Sequence, residues 1–76
     1  MKYSSRMTPR QFGRRLKALR EARGVSQAVL AERAGLTREY VNKLEAGKYD
    51  PTLGTMGRLA KALGVTERAF LDARGG

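Results

Sequence analysis

The sequence predicts an all-α domain of five short helices, and three observations predict it. Strand formers are scarce: Ile is absent, Val occurs only at Val25, Val29, Val41 and Val65, and no run alternates apolar with polar residues. Ala and Leu dominate the apolar set instead, which favours helices. Glycines follow the apolar runs and Ser or Thr precedes them, the punctuation of helix ends and starts. With 76 residues, 41% of them hydrophobic, the chain has material for one compact core and one domain.

The first helix starts at Thr8-Pro9-Arg10-Gln11. Thr8 suits the N-cap, Pro9 the first helical position, and Gln11 completes a capping box. Phe12, Leu16 and Leu19 form its apolar stripe, and Gly24 ends it. The second is capped by Ser26, runs from Gln27 to Ala34 with Leu30, Ala31 and Ala34 inward, and stops at Gly35. The third follows at once. Thr37 caps it, Arg38 to Ala46 form its body, Val41 and Leu44 point inward, and Gly47 closes it. Lys48-Tyr49-Asp50-Pro51 reads as a loop. The fourth is capped by Thr52 and carries Leu53, Met56, Leu59, Ala60 and Leu63 to Gly64. The fifth is capped by Thr66 and buries Phe70 and Leu71. The domain therefore spans residues 8–73, after a disordered basic arm at 1–7 and before a short tail at 74–76.

Charge and missing residue types narrow the function. Lys and Arg number 16 against 7 acids, a net charge of +9, so a polyanion is the expected partner. With Cys 0 and His 0, zinc fingers, Cys–His pairs, Ser–His triads and histidine acid–base chemistry are excluded. The carboxylates Glu21, Glu32, Glu39, Glu45, Asp50, Glu67 and Asp72 are scattered among basic residues without metal- or nucleotide-binding spacing. The expectation is a non-enzyme without cofactor, metal or small-molecule ligand. No apolar run approaches a spanning helix, and Met1 to Arg10 lack a signal-peptide core, so a cytoplasmic, nucleoid-associated protein is expected.

The turn Gly35-Leu36-Thr37 is too short for anything but a steep crossing of the second and third helices. Gly35 permits the left-handed turn, Ala31 lets the helices approach, and Leu36 fills the space beneath. Such a helix-turn-helix leaves its second helix free to enter a major groove. Val25-Ser26-Gln27, Leu30-Ala31, Ala34-Gly35-Leu36-Thr37, Val41 and Leu44-Glu45-Ala46-Gly47 resemble the Cro/phage-repressor-type helix-turn-helix family. Pro51-Thr52-Leu53 and Leu59-Ala60-Lys61-Ala62-Leu63-Gly64-Val65-Thr66 are similar to its fourth and fifth helices, so the resemblance covers roughly Thr8 to Ala73.

The resemblance implies a compact five-helix, lambda-repressor-like domain that regulates transcription on double-stranded DNA. It implies base reading by Arg38, Glu39, Asn42 and Lys43 on the third helix, which the donor and acceptor patterns of the bases can accommodate. Gln27 matches a glutamine that braces the DNA backbone and the reading helix. Ser26, Thr37, Tyr40, Lys48 and Tyr49 are the remaining backbone candidates, near helix N-termini that attract anions. Arg20 and Glu45 match a buried ion pair between the first and third helices. One head reads few base pairs, so a homodimer on a pseudo-palindrome is expected, with Phe70 and Leu71 as dimerisation candidates. Small stand-alone family members include controllers of restriction–modification systems, and the size is compatible with that.

Two departures from the family pattern stand out. Ala28 and Val29 occupy positions that are usually polar, and Val29 reads as a scattered apolar surface residue. Gly54 and Gly57 interrupt the fourth helix, Gly54 as part of a frayed turn and Gly57 to admit another helix or DNA. The stripe Arg10, Arg14 and Lys17 can solubilise, touch phosphates or add to a broad positive field, and composition leaves these open. The rival reading is a protein-interaction partner module, such as an antitoxin or adaptor.

Overall fold

The computed structural model describes residues 7–71 and places five helices among them, with no strand. They are α1 (Pro9–Ala22), α2 (Gln27–Ala34), α3 (Arg38–Glu45), α4 (Leu53–Leu63) and α5 (Arg68–Leu71). The first four start where side-chain chemistry directs. Thr8, Ser26, Thr37 and Thr52 each accept the backbone N–H three residues on, and Gln11 returns the bond at Thr8 to close the capping box.

Gly35 shows how the elements stop. Its φ of 71° lies in the left-handed region, and the Leu36 N–H reaches back to the Ala31 carbonyl at 2.8 Å. That pairing satisfies the end of α2 and turns the chain straight into α3. Two boundaries differ from the sequence reading. Ala46 caps α3 rather than extending it, because the chain must turn at Gly47. The fifth helix is one turn starting at Arg68, with Ala69 and Phe70 N–H groups bonded to the Thr66 and Glu67 carbonyls.

The core gathers one face of every helix. Phe12, Leu16, Leu30, Val41, Leu44, Met56, Leu59 and Phe70 are fully buried or nearly so. Phe12 and Phe70 lie ring against ring at 5.2 Å, joining α1 to α5. This corrects Phe70 as a dimerisation candidate: a side chain with no exposed surface, spent on Phe12, has nothing to offer a partner. The Leu71 side chain lies outside the described residues. Arg15 reinforces the same junction, donating through Nε to the Ala69 carbonyl at 2.8 Å.

A second correction concerns Met7. Assigned to a disordered arm, it is buried in the core cluster, since an apolar residue next to the Thr8 cap can fold onto the domain. Residues 1–6, and Ala73 with the tail at 74–76, lie outside the described residues.

The tightest crossing is between α1 and α3, at Gly13. A Cβ there would sit 2.4 Å from the Leu44 carbonyl oxygen and 2.6 Å from that of Glu45. Only a residue without a Cβ lets α1 lie this close across α3. Gly57 differs from expectation: its neighbour is the Glu67 carboxylate, 2.9 Å from a built Cβ, rather than a helix or DNA.

Candidate nucleic-acid interface

The third helix divides cleanly into two faces. Val41 and Leu44 have no exposed surface, and they seat α3 against α1 and α2. Arg38, Glu39, Asn42 and Lys43 are all exposed on the other side. Packing thus fixes the rotation of the helix and presents one acid, one amide and two cations outward. Tyr40 lies between the faces, half-buried, and its ring stacks on Tyr49 with centroids 5.8 Å apart. Tyr49 is itself 46% exposed. Thr37, Glu39, Tyr40, Lys43 and Tyr49 line one shallow recess beside the start of α3.

The two capping hydroxyls face the same surroundings. Ser26 Oγ accepts from the Val29 N–H at 3.1 Å, and Thr37 Oγ1 from the Tyr40 N–H at 3.0 Å. Each keeps its own O–H free to donate, and each is exposed at a helix start. Lys48 is exposed just beyond α3. The backbone of Arg10 lies against Gly47, 2.9 Å from a built Cβ, so the exposed Arg10 belongs to the same end of α3 as Lys48.

Beneath this face, Arg20 and Glu45 are in contact, with side chains only 11% and 4% exposed. Arg20 donates through Nε to Glu45 Oε2 at 2.6 Å and through Nη2 to Oε1 at 3.1 Å. Its Nη1 donates to the Val25 carbonyl at 2.8 Å, tying the pair to the approach to α2. The hydrogen bond to Glu45 holds the Arg20 guanidinium above its ordinary pKa, outweighing burial, which acts the other way. Gln27 joins from α2, donating to Glu45 Oε1 at 2.9 Å and accepting from Asn42 Nδ2 at 3.3 Å. No buried side-chain polar atom among the described residues lacks a partner.

Three features here escape sequence reasoning. Arg15 looks like one more surface cation, yet it holds α5. Arg58 reaches from α4 to the Gly35 carbonyl at a long 3.5 Å. The bond between Gln27 and Asn42 spans 15 residues, and only the crossing of α2 and α3 creates it. Among the described residues no cluster of acidic side chains could hold a metal, and no helix is long and apolar enough to cross a membrane.

Two helices crossing through a glycine turn, with the second seated by its apolar face and polar outside, define a helix-turn-helix domain. The chain belongs to the helix-turn-helix family, whose model matches residues 16–70. The immunity repressor protein of Bacillus phage phi105 is 41% identical over 59 residues, covering 78% of this chain and 41% of the repressor. The SPbeta prophage-derived HTH-type transcriptional regulator YonR of Bacillus subtilis (strain 168) is 44% identical over 55 residues, 72% of this chain and 51% of that protein. The chain thus spans about half, or less, of these curated relatives. Among solved structures, the restriction-modification controller protein C.AhdI from Aeromonas hydrophila superposes with a TM-score of 0.80 at 40% identity, covering 82% of this chain and 94% of that one. The relatives named here are regulators or repressors, and none is named as an enzyme.

Proposed function

We propose that the chain is a sequence-specific regulator of transcription that binds double-stranded DNA as a homodimer, with α3 in the major groove. The observation that carries this reading is the division of α3: Val41 and Leu44 are wholly buried, while Arg38, Glu39, Asn42 and Lys43 are wholly outward. Such a helix can lie in a groove without disturbing the core. Arg38 and Lys43 donate to guanine O6 and N7, Asn42 pairs with adenine N6 and N7, and Glu39 accepts from cytosine N4. Ser26, Thr37, Tyr40, Lys48 and Tyr49 hold phosphates, with Gln27 bracing between them and α3, so register comes from the backbone and specificity from the bases. Two heads on a pseudo-palindrome, with half-sites about one helical turn apart, supply affinity that a single small head lacks. The regulators and repressors among its relatives support the same reading.

Selection of DNA from a random pool tests it. The expected winner is a short pseudo-palindrome whose binding is lost on Arg38→Ala or Lys43→Ala. Enrichment of no sequence, with weak and uniformly salt-sensitive binding, would reduce the basic surface to an electrostatic platform and direct attention to a protein partner.

A further inference from the structure

The amide of Asn42 is the outer end of a chain of hydrogen bonds whose inner end is buried. Arg20 donates twice to Glu45, Gln27 Nε2 donates to Glu45 Oε1 at 2.9 Å, and Asn42 Nδ2 donates to Gln27 Oε1 at 3.3 Å. The direction of every link is forced. A carboxylate facing a guanidinium offers only acceptor oxygens, so Gln27 must turn its NH₂ group toward Glu45. Its carbonyl then faces α3, and Asn42 must turn its own NH₂ group inward to meet it. Reversing either amide would set two carbonyls or two NH₂ groups against each other.

Resting on the proposed DNA reading, we infer that Gln27 is a specificity-positioning residue that sets the polarity with which Asn42 faces a base. An Asn free to flip can turn its whole NH₂ group toward guanine, whose N7 and O6 are both acceptors. Held by Gln27, Asn42 has one N–H left to give, and its carbonyl repels a second acceptor. The pattern it presents, one acceptor beside one donor, matches adenine N6 and N7. The buried Glu45, which touches no base, thereby reaches the base preference through two amides.

The test is a measured base preference at every position of the selected site, for the unsubstituted protein, Gln27→Met, Asn42→Ala and the double variant. Methionine keeps the length and helix preference of glutamine but makes neither hydrogen bond, and Arg20 still holds Glu45. Gln27→Met is expected to lower the adenine-over-guanine preference at the Asn42 base pair about fivefold, the worth of one ordinary hydrogen bond. Preferences at the Arg38 and Lys43 positions stay as they were. In the Asn42→Ala background the same change adds nothing, the signature of coupled residues. In the free protein, the Asn42 side-chain amide resonances shift in Gln27→Met. Parallel weakening at all positions, or additive effects in the double variant, would show a general bracing role and overturn the inference. An unchanged preference would overturn it as well, while leaving the DNA reading standing. If the unsubstituted protein selects no sequence at all, that reading falls and this inference with it.

Discussion

Glu45 carries more of the structure than any other polar residue in the chain. It accepts two bonds from Arg20 and one from Gln27, with only 4% of its side chain exposed. Truncating one member of such a pair leaves the other charge buried without its partner, which costs about 3–5 kcal/mol. Glu45→Ala is therefore expected to lose at least about 3 kcal/mol in urea unfolding. A loss below about 0.5 kcal/mol would mean that water replaces the carboxylate freely. The pair itself was legible only through the family resemblance, since 25 residues separate its members. Its third partner was not legible at all as a bond: Gln27 reads as a brace, and nothing local says which way its amide points. Arg15 failed for the same reason, because its acceptor is a backbone carbonyl 54 residues away.

Helix ends were the most legible elements, because the groups that decide them are neighbours in the chain. Thr8, Ser26, Thr37 and Thr52 each cap a helix three residues away, and no tertiary contact is needed to know it. The fifth helix was harder. Its place depends on Phe70 docking against Phe12, and its single turn leaves Thr66 two residues short of it. The two helical glycines make the contrast measurable. At Gly13 an added methyl meets the carbonyls of Leu44 and Glu45, which belong to the backbone of α3 and cannot step aside. Gly13→Ala is expected to destabilise by about 3 kcal/mol, the upper range for overpacking, despite the better helix propensity of alanine. At Gly57 the obstacle is the tip of the Glu67 side chain, which can swing into solvent. Gly57→Ala is expected to be neutral or to stabilise by up to about 1 kcal/mol, the propensity gain. Thermal unfolding of the two variants decides between them, and equal losses would refute the geometric distinction. The sequence shows both glycines alike; only the neighbour across the gap tells them apart.

At the scale of the whole molecule the question is where a net charge of +9 meets DNA. The basic residues of α1 are not equivalent. Arg20 is neutralised by Glu45, and Arg15 is tied to the Ala69 carbonyl. Arg10, Arg14, Lys17 and Arg23 remain exposed. Of these, Arg10 alone has its backbone against Gly47, where α3 gives way to the loop that carries Lys48. Lys17 lies seven residues further along α1, about 10 Å away at the rise of a helix. A phosphate strand running past the end of α3 therefore meets Arg10 and Lys48 together and leaves Lys17 behind. Each phosphate neutralised releases counterions and steepens the fall of affinity with salt by about 0.9 in the double-logarithmic slope. Arg10→Ala and Lys48→Ala are each expected to flatten that slope by about one per head, and so by about two for a dimer, without altering base preference. Lys17→Ala is expected to leave it nearly unchanged, because a charge that only adds to a distant field is screened within about 10 Å at ordinary salt. Titrations of the selected site from low to high salt measure all three slopes. Equal flattening by all three substitutions would mean that the stripe acts as one broad field, and that the junction of α1 with the end of α3 has no special place on the duplex.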